Sequence, residues 1–187
     1  MDADFLLIKR MKQGDEAAFE VFVRKYYEEI LNYCSYHCFD RTYAEDLTQE
    51  TFVRFFAKLS DYHYVGKTKN YLYTIAGNLC RDYYKKIKEN PMEEQEINEA
   101  LGLGRNHEEV ILDKMTVEWA LRQLPDELYE VAVLYYFQDL KLTEIACVLQ
   151  ISLPLAKYRV RRAKMQLERI LRKEEELYEP GGTNQEL

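Results

Sequence analysis

Residues 143–167 read TEIACVLQISLPLAKYRVRRAKMQL, and the fold turns on how this stretch divides. Ile145, Ala146 and Leu149 recur at helical spacing, which predicts a short helix over 142–149 with one apolar face. A three-residue turn follows, and Ser152 is placed to cap a second helix over 153–173 through its side-chain oxygen. Two helices joined by a tight turn have the layout of a helix-turn-helix. In the second helix Leu155, Val160, Ala163 and Leu167 are the expected buried positions, leaving Lys157, Tyr158, Arg161 and Arg162 outward. Arginine there can pair with guanine edges or phosphates, and a helix N-terminus itself favours phosphate. From Ser152 to Lys173 eight basic residues stand against one acid, Glu168. A charge run alone more often marks a solvated face. The turn before it and the missing acids favour DNA.

The rest of the chain runs the other way in charge. The net formal charge is −7, with acids concentrated in Glu89 to Glu109 and after Lys173. An acidic chain with one basic stripe should bind DNA weakly alone and need a protein partner to supply the remainder. Seven glycines and four prolines are few for 187 residues, so composition leans towards helices. No stretch reaches the roughly 18 consecutive apolar residues of a membrane span. The N-terminal MDADFLLIKR places acids before a very short apolar run, the opposite of a secretory signal. The expectation is a cytoplasmic protein with no direct membrane insertion. Cys34, Cys38, Cys80 and Cys147 fit that compartment as free core thiols. Cys34, His37 and Cys38 invite a metal reading, but only His63 and His107 could complete the ligand set. No metal and no cofactor are expected.

Three helices are expected in the first half. Phe19, Phe22, Val23, Tyr26, Ile30, Tyr33, Cys34 and His37 fall at three- and four-residue steps over 15–38, with Asp15 as a plausible cap. A second helix over 42–59 places Leu47, Thr51, Phe55 and Leu59 inward. A third over 70–88 does the same with Leu72, Ile75, Ala76, Leu79 and Tyr83. The acidic stretch after it contains Pro91, Gly102 and Gly104 and reads as a flexible linker. Helices over 108–123 and 126–137 precede the helix-turn-helix, and the last residues carry Pro-Gly-Gly and should be disordered. The chain thus divides into an all-α domain over 1–90, an acidic linker over 91–107, a second all-α domain over 108–174 and a tail over 175–187.

Two further stretches carry chemistry. Asp46, Gln49 and Glu50 sit at i, i+3 and i+4 and share one helix face. No nucleophile, histidine partner or Gly-rich loop accompanies these carboxylates, so they read as a protein-docking face and the chain is not expected to be an enzyme. The loop SDYHYVGKTK over 60–69 offers Tyr62, Tyr64, Lys67 and Lys69, and the next helix adds Asn78, Arg81, Lys85 and Lys86 on its polar side. Rings to stack bases and cations to hold a backbone are what a single-strand platform needs. Among sixteen tyrosines such a pairing is weak evidence by itself.

AEDLTQETF over 44–52, followed by NYLYTIAGNLCRDYYKK over 70–86, resembles the region-2 signature of bacterial extracytoplasmic-function (ECF) sigma factors, roughly AEDLxQExF and WLxxIAxNxxxDxxRR. LPDELYEVAVLYYFQDLKLTEIACVLQIS over 124–152 resembles region 4 of the same sigma-70 family. The resemblance spans nearly the whole chain, with both motifs in order. It implies a region-2 helical bundle and a region-4 helix-turn-helix that together direct transcription initiation. Asp46, Gln49 and Glu50 would dock on the clamp helices of the polymerase β′ subunit, with β as a further contact. Tyr62, Tyr64, Lys67, Lys69, Tyr71, Asn78, Arg81, Lys85 and Lys86 would melt and read the promoter −10 element, capturing a flipped base. Ser152, Leu155, Lys157, Tyr158, Arg161 and Arg162 would read the −35 element. An anti-sigma factor is the implied regulator, and no small-molecule substrate is implied.

This chain departs from the family pattern at several positions. Tyr71 stands where the family has tryptophan, and Lys85 and Lys86 replace twin arginines, keeping charge but losing the guanidinium fork. The family's S-x-G-T-V-K lead-in is Ser152-Leu153-Pro154-Leu155-Ala156-Lys157 here. Gln150 replaces a turn glycine, so a positive φ there would carry about 1 kcal/mol of strain. Lys141 replaces the serine cap of the preceding helix, for which Asp139 or Thr143 could substitute. Two alternatives stay open at this stage: a helix-turn-helix regulator that binds duplex DNA alone, and a sigma-like module that has lost promoter reading.

Overall fold

The computed structural model describes residues 3–38, 40–64, 67–89 and 117–178. Expectations for the linker, the 108–116 helix start and the tail beyond 178 lie outside the described residues. The described residues are helical, without a strand among them. They divide into two compact units: residues up to 105 together with 144–150, and residues 106–143 together with 151–187.

Besides residues 144–150, the first unit holds four described helices, one more than expected in the first half of the chain. These are α1 (Ala3–Lys12), α2 (Glu16–His37), α3 (Arg41–Ala57) and α4 (Thr68–Glu89). Helix α1 buries Ile8 and Met11 and ends at Gly14, whose φ is +81°. The amide of Asp15 donates to the carbonyl of Arg10 and that of Gly14 to the carbonyl of Met11, a Schellman closure that needs a left-handed residue. Arg10 then pairs with Asp15 at 2.7 Å, holding that carboxyl below its usual range. Asp15 precedes α2 in extended conformation as expected, but its side chain serves this ion pair rather than a cap hydrogen bond. Asp40, by contrast, accepts from the Thr42 amide at the start of α3.

Helices α2, α3 and α4 pack around an aromatic core. Phe22 stacks on Phe55 at 4.8 Å with the rings 10° apart, both fully buried. Each such ring contributes roughly 1.5–3 kcal/mol by leaving water. Tyr33 meets Tyr73 edge-on at 5.2 Å further along α2. Thr48 and Thr51 are also buried, and each donates its hydroxyl to the carbonyl four residues back, so neither carries an unmet donor. Cys34, Cys38 and Cys80 are buried core thiols, and burial pushes the Cys38 thiol up to about 12. Cys147 is exposed, which corrects its assignment to a core.

In the second unit α5 is described over 117–122 and α6 spans Asp126–Ala132. The expected helix to Phe137 instead widens into a single π turn over Val133–Phe137, with the Gln138 amide reaching back to the Val133 carbonyl. Asp139 then turns the chain at φ 51°. Helix α7 (Leu142–Val148), with Lys141 immediately before it, falls for the most part in the first unit, and α8 (Leu153–Tyr178) belongs to the second. Helix α7 buries Ile145 and Val148, whereas Ala146 and Leu149 are only half-buried.

Helix α8 keeps its expected phase except at Leu155, whose place on the buried face is taken by Ala156. Ala156, Val160 and Ala163 are buried, while Leu155 is 37% exposed. Helix α6 and α8 pack together, and Arg159 at 22% side-chain exposure bridges to Glu127 at 2.6 Å. One of the eight basic residues is therefore spent on holding α8 in place.

Candidate nucleic-acid interface

Three surfaces emerge from these elements. The first lies on α3. Asp46 and Gln49 are exposed and Glu50 half-exposed, as the i, i+3, i+4 spacing requires. Glu50 pairs with Arg54 at 2.7 Å and Glu45 with Arg41 at 3.0 Å. Exposed pairs of this kind contribute about 0.3–0.5 kcal/mol each, so they order the carboxylates without tying them up. Val53 is 59% exposed and falls on the same face, two turns after Asp46. It was absent from the expected set although its i+7 spacing marks it. An apolar side chain among carboxylates is better suited to a protein than to DNA.

The second surface is the segment after α3 and the outer face of α4. Tyr71, Asn78, Arg81 and Lys85 follow one stripe at seven-, three- and four-residue steps. Asn78, Arg81, Lys85 and Lys86 are exposed. Arg81 donates to Asn78 through Nη2 and to the Gly77 carbonyl through Nε at 3.1 Å, so the pair is held as one polar unit. Tyr62 and Tyr71 are not free rings. They stack on each other at 5.2 Å, and Tyr62 meets Phe55 edge-on at 5.3 Å. Burial raises the Tyr62 phenol above its usual range. Tyr64 is half-buried against Phe5 at 5.9 Å. Lys67 is exposed. Lys69 lies about 200° around the helix from Tyr71. It pairs with Glu29 at 3.0 Å and lies over Tyr73, so it packs α4 onto α2 rather than joining the stripe.

The third surface is the start of α8. Gln150 ends the preceding turn at φ 55°, the left-handed conformation that a glycine would adopt freely. Ser152 Oγ accepts from the Leu155 amide at 3.3 Å, so it caps α8 as expected. Pro154 falls in the first turn, where its missing N–H has no intrahelical partner to lose. Leu155, Lys157, Tyr158, Arg161 and Arg162 are all exposed. Arg162 lies over the Tyr158 ring at 6.0 Å and donates to its hydroxyl at 3.3 Å, which pre-arranges the two side chains. The same face continues through Met165, 60% exposed, and exposed Arg169 and Arg172. The expected set stopped one turn short of these residues.

The strained turn carries a prediction. Gln150→Gly should raise stability by roughly 0.5–1 kcal/mol, because relief of left-handed strain exceeds the extra chain entropy of glycine. The same change at Asp139 should gain less, since aspartate tolerates that conformation. Urea unfolding of both variants checks this, and a destabilised Gln150→Gly would contradict it.

Comparison with known proteins identifies the family. Sigma-70 region 2 matches residues 22–89 and Sigma-70 region 4 matches residues 115–167. The RNA polymerase sigma factor YlaC of Bacillus subtilis is 31% identical over 171 residues, covering 89% of this chain and 98% of that protein. The ECF RNA polymerase sigma factor SigW of the same organism is 29% identical over 178 residues, covering 88% and 95%. Among solved structures, CnrH in complex with the cytosolic domain of CnrY has a similar fold, with a TM-score of 0.71 at 23% identity over 92% of this chain and 99% of that one. RpoE in complex with the anti-sigma factor NepR from Bartonella quintana has a TM-score of 0.64 at 21% identity, covering 82% and 96%. Regions 2 and 4 stand in that order along the chain, and the chain belongs to the ECF sigma factors of the sigma-70 family.

Proposed function

We propose that the three surfaces divide the work of a sigma factor as follows. The α3 face of Asp46, Gln49 and Glu50, with Val53, docks on the β′ clamp helices. Tyr62, Tyr64, Lys67, Tyr71, Asn78, Arg81, Lys85 and Lys86 open and read the −10 element, with Lys69 supporting them from behind. Ser152, Leu155, Lys157, Tyr158, Arg161 and Arg162 read the −35 element in the major groove. Residues 1–90 and 108–174 act as the two reading domains, with 91–107 as the linker and 175–187 as a tail. The observation that carries this reading is the separation of charge: carboxylates exposed on α3, cations exposed on α4 and α8. One face suits a protein and the others suit phosphate.

The chain acts by binding and has no catalytic role of its own, its carboxylates having no nucleophile or base beside them. It works in the cytoplasm, where polymerase is; among the described residues no helix is long and apolar enough to cross a membrane. An anti-sigma factor is the proposed regulator, supported by the solved relative RpoE, whose complex is with one.

Permanganate reactivity of promoter thymines tests the −10 assignment. Adding the chain to core polymerase should make thymines of the −10 element reactive, and Lys67→Ala with Arg81→Ala should reduce that signal while core binding is kept. Full reactivity in the double variant would remove these residues from the reading surface.

A further inference from the structure

Helix α1 makes a contact that neither docking nor DNA reading explains. Lys12, in its last turn, donates from Nζ to two backbone carbonyls beyond α3, that of Ser60 at 3.0 Å and that of Tyr62 at 2.7 Å. Helix α3 ends at Ala57, and the amides of Lys58 and Leu59 close its last turn onto Phe55 and Phe56. The carbonyls of Ser60 and Tyr62 come after that closure. Two carbonyls two residues apart that converge on one ammonium fix the backbone between them, because neither peptide can rotate without losing a charge-assisted hydrogen bond.

The donor is itself held. Ile8 and Met11 are 3% and 2% exposed against the bundle, Asp4 takes Lys25 and the Tyr26 hydroxyl of α2, and the Gly14 closure with Arg10–Asp15 fixes the helix end. Lys12 is thus presented from a rigid element, the arrangement that positions a functional group well. A second tie runs parallel to it, Phe5 against Tyr64. The two ties fall on Tyr62 and Tyr64, two of the tyrosines assigned to promoter reading.

We propose that Lys12 is a positioning residue for promoter opening: its ammonium latches the Ser60–Tyr62 backbone and thereby holds Tyr62, stacked on Tyr71, in the shape that receives single-stranded DNA. This rests on the proposed −10 role of that segment. Without the latch the segment must be ordered when DNA arrives, and DNA opening weakens by the cost of that ordering. Core docking, which uses the face of Asp46, is untouched.

The test uses holoenzyme reconstituted with full-length Lys12→Met, Lys12→Arg and Tyr62→Ala, measuring permanganate reactivity, core affinity and thermal stability side by side. Lys12→Met keeps the aliphatic stem and loses the donors, and should lower DNA opening about tenfold with core affinity unchanged, the scale of one charge-assisted hydrogen bond. Lys12→Arg, whose fork can serve both carbonyls, should restore most of it. Normal opening by Lys12→Met beside a defective Tyr62→Ala would overturn the latch and leave the −10 assignment standing. Normal opening by both variants would overturn the −10 assignment of the segment, and the latch with it. A Lys12→Met variant that loses stability and core affinity together, or a Lys12→Arg variant no better than Lys12→Met, would overturn positioning in favour of a purely structural contact.

Discussion

Asp46→Lys with Glu50→Lys is expected to abolish co-purification of the chain with core polymerase while leaving the fold intact. Both carboxylates are on the open side of α3, and among the described residues the only intramolecular ion pair to lose is Glu50 with Arg54. Losing that pair and setting cations at positions 46, 50 and 54, two like-charge i, i+4 pairs, costs about 1–1.5 kcal/mol together. At an interface the scale is different. Removing one partner of a buried charge pair costs about 2–5 kcal/mol and strands the opposing charge, and reversal adds repulsion. Two such sites therefore weaken binding by roughly a thousandfold or more against a much smaller change in the folding equilibrium. Circular dichroism with thermal melting should show a shift of a few degrees at most. Unchanged co-purification would remove this face from docking.

The second large effect is expected at α8. Arg161→Ala with Arg162→Ala should reduce −35-dependent transcription by about thirtyfold or more at physiological salt, with core binding unaffected. Each arginine making a bidentate base contact supplies about 1–3 kcal/mol of discrimination. Each one neutralising a phosphate steepens the logarithmic salt dependence by roughly 0.9. The two variants taken singly should differ. Arg162 is pre-arranged by Tyr158, so Tyr158→Ala should reproduce part of the Arg162→Ala defect, whereas Arg161→Ala should be independent of Tyr158. Arg159→Ala should instead lower stability, since its guanidinium is turned to Glu127. If core binding fell with Arg161 and Arg162, the roles of the two domains would be reversed.

The elements that were legible in the sequence share a physical property. Helices α2, α3 and α4 each bury a stripe of large side chains, so their three- and four-residue spacing stands out from background. Helix α1 buries only Ile8 and Met11 and leaves Phe5 and Leu6 more than 40% exposed, which hides its period. One position of α8, Leu155, was misassigned for a related reason. Two of its buried positions are Ala156 and Ala163, which carry little hydrophobic weight, and the larger Leu155 drew the inward assignment although it faces solvent. The π turn at Val133–Phe137 shifts the backbone pairing by one residue without altering the pattern of residue types, so nothing in the spacing announces it.

Of the candidate site, exposure of Asp46 and Gln49 and the Ser152 cap were readable from local spacing alone. The strain at Gln150 was readable from a missing glycine. The Tyr62–Tyr71 stack was not, because it joins residues nine apart in sequence, and Tyr62 also meets Phe55 and Lys12 from other elements. The Lys69–Glu29 pair was hidden for the same reason, since only the packing of α4 on α2 brings the two together. Departures from the family pattern gather at Gln150 and Ser152–Lys157, at the start of the helix proposed to read the −35 element. Promoter preference particular to this chain is expected to originate there.

The most direct measurement is transcription in vitro by purified core polymerase on fragmented genomic DNA, with and without the chain, followed by mapping of RNA 5′ ends. A sigma factor with two reading surfaces should create a discrete set of new start sites that share two short upstream motifs at a near-constant spacing, all lost with Asp46→Lys and Glu50→Lys. An absence of new starts, or occupancy of the same genomic sites by the chain without polymerase, would contradict that account.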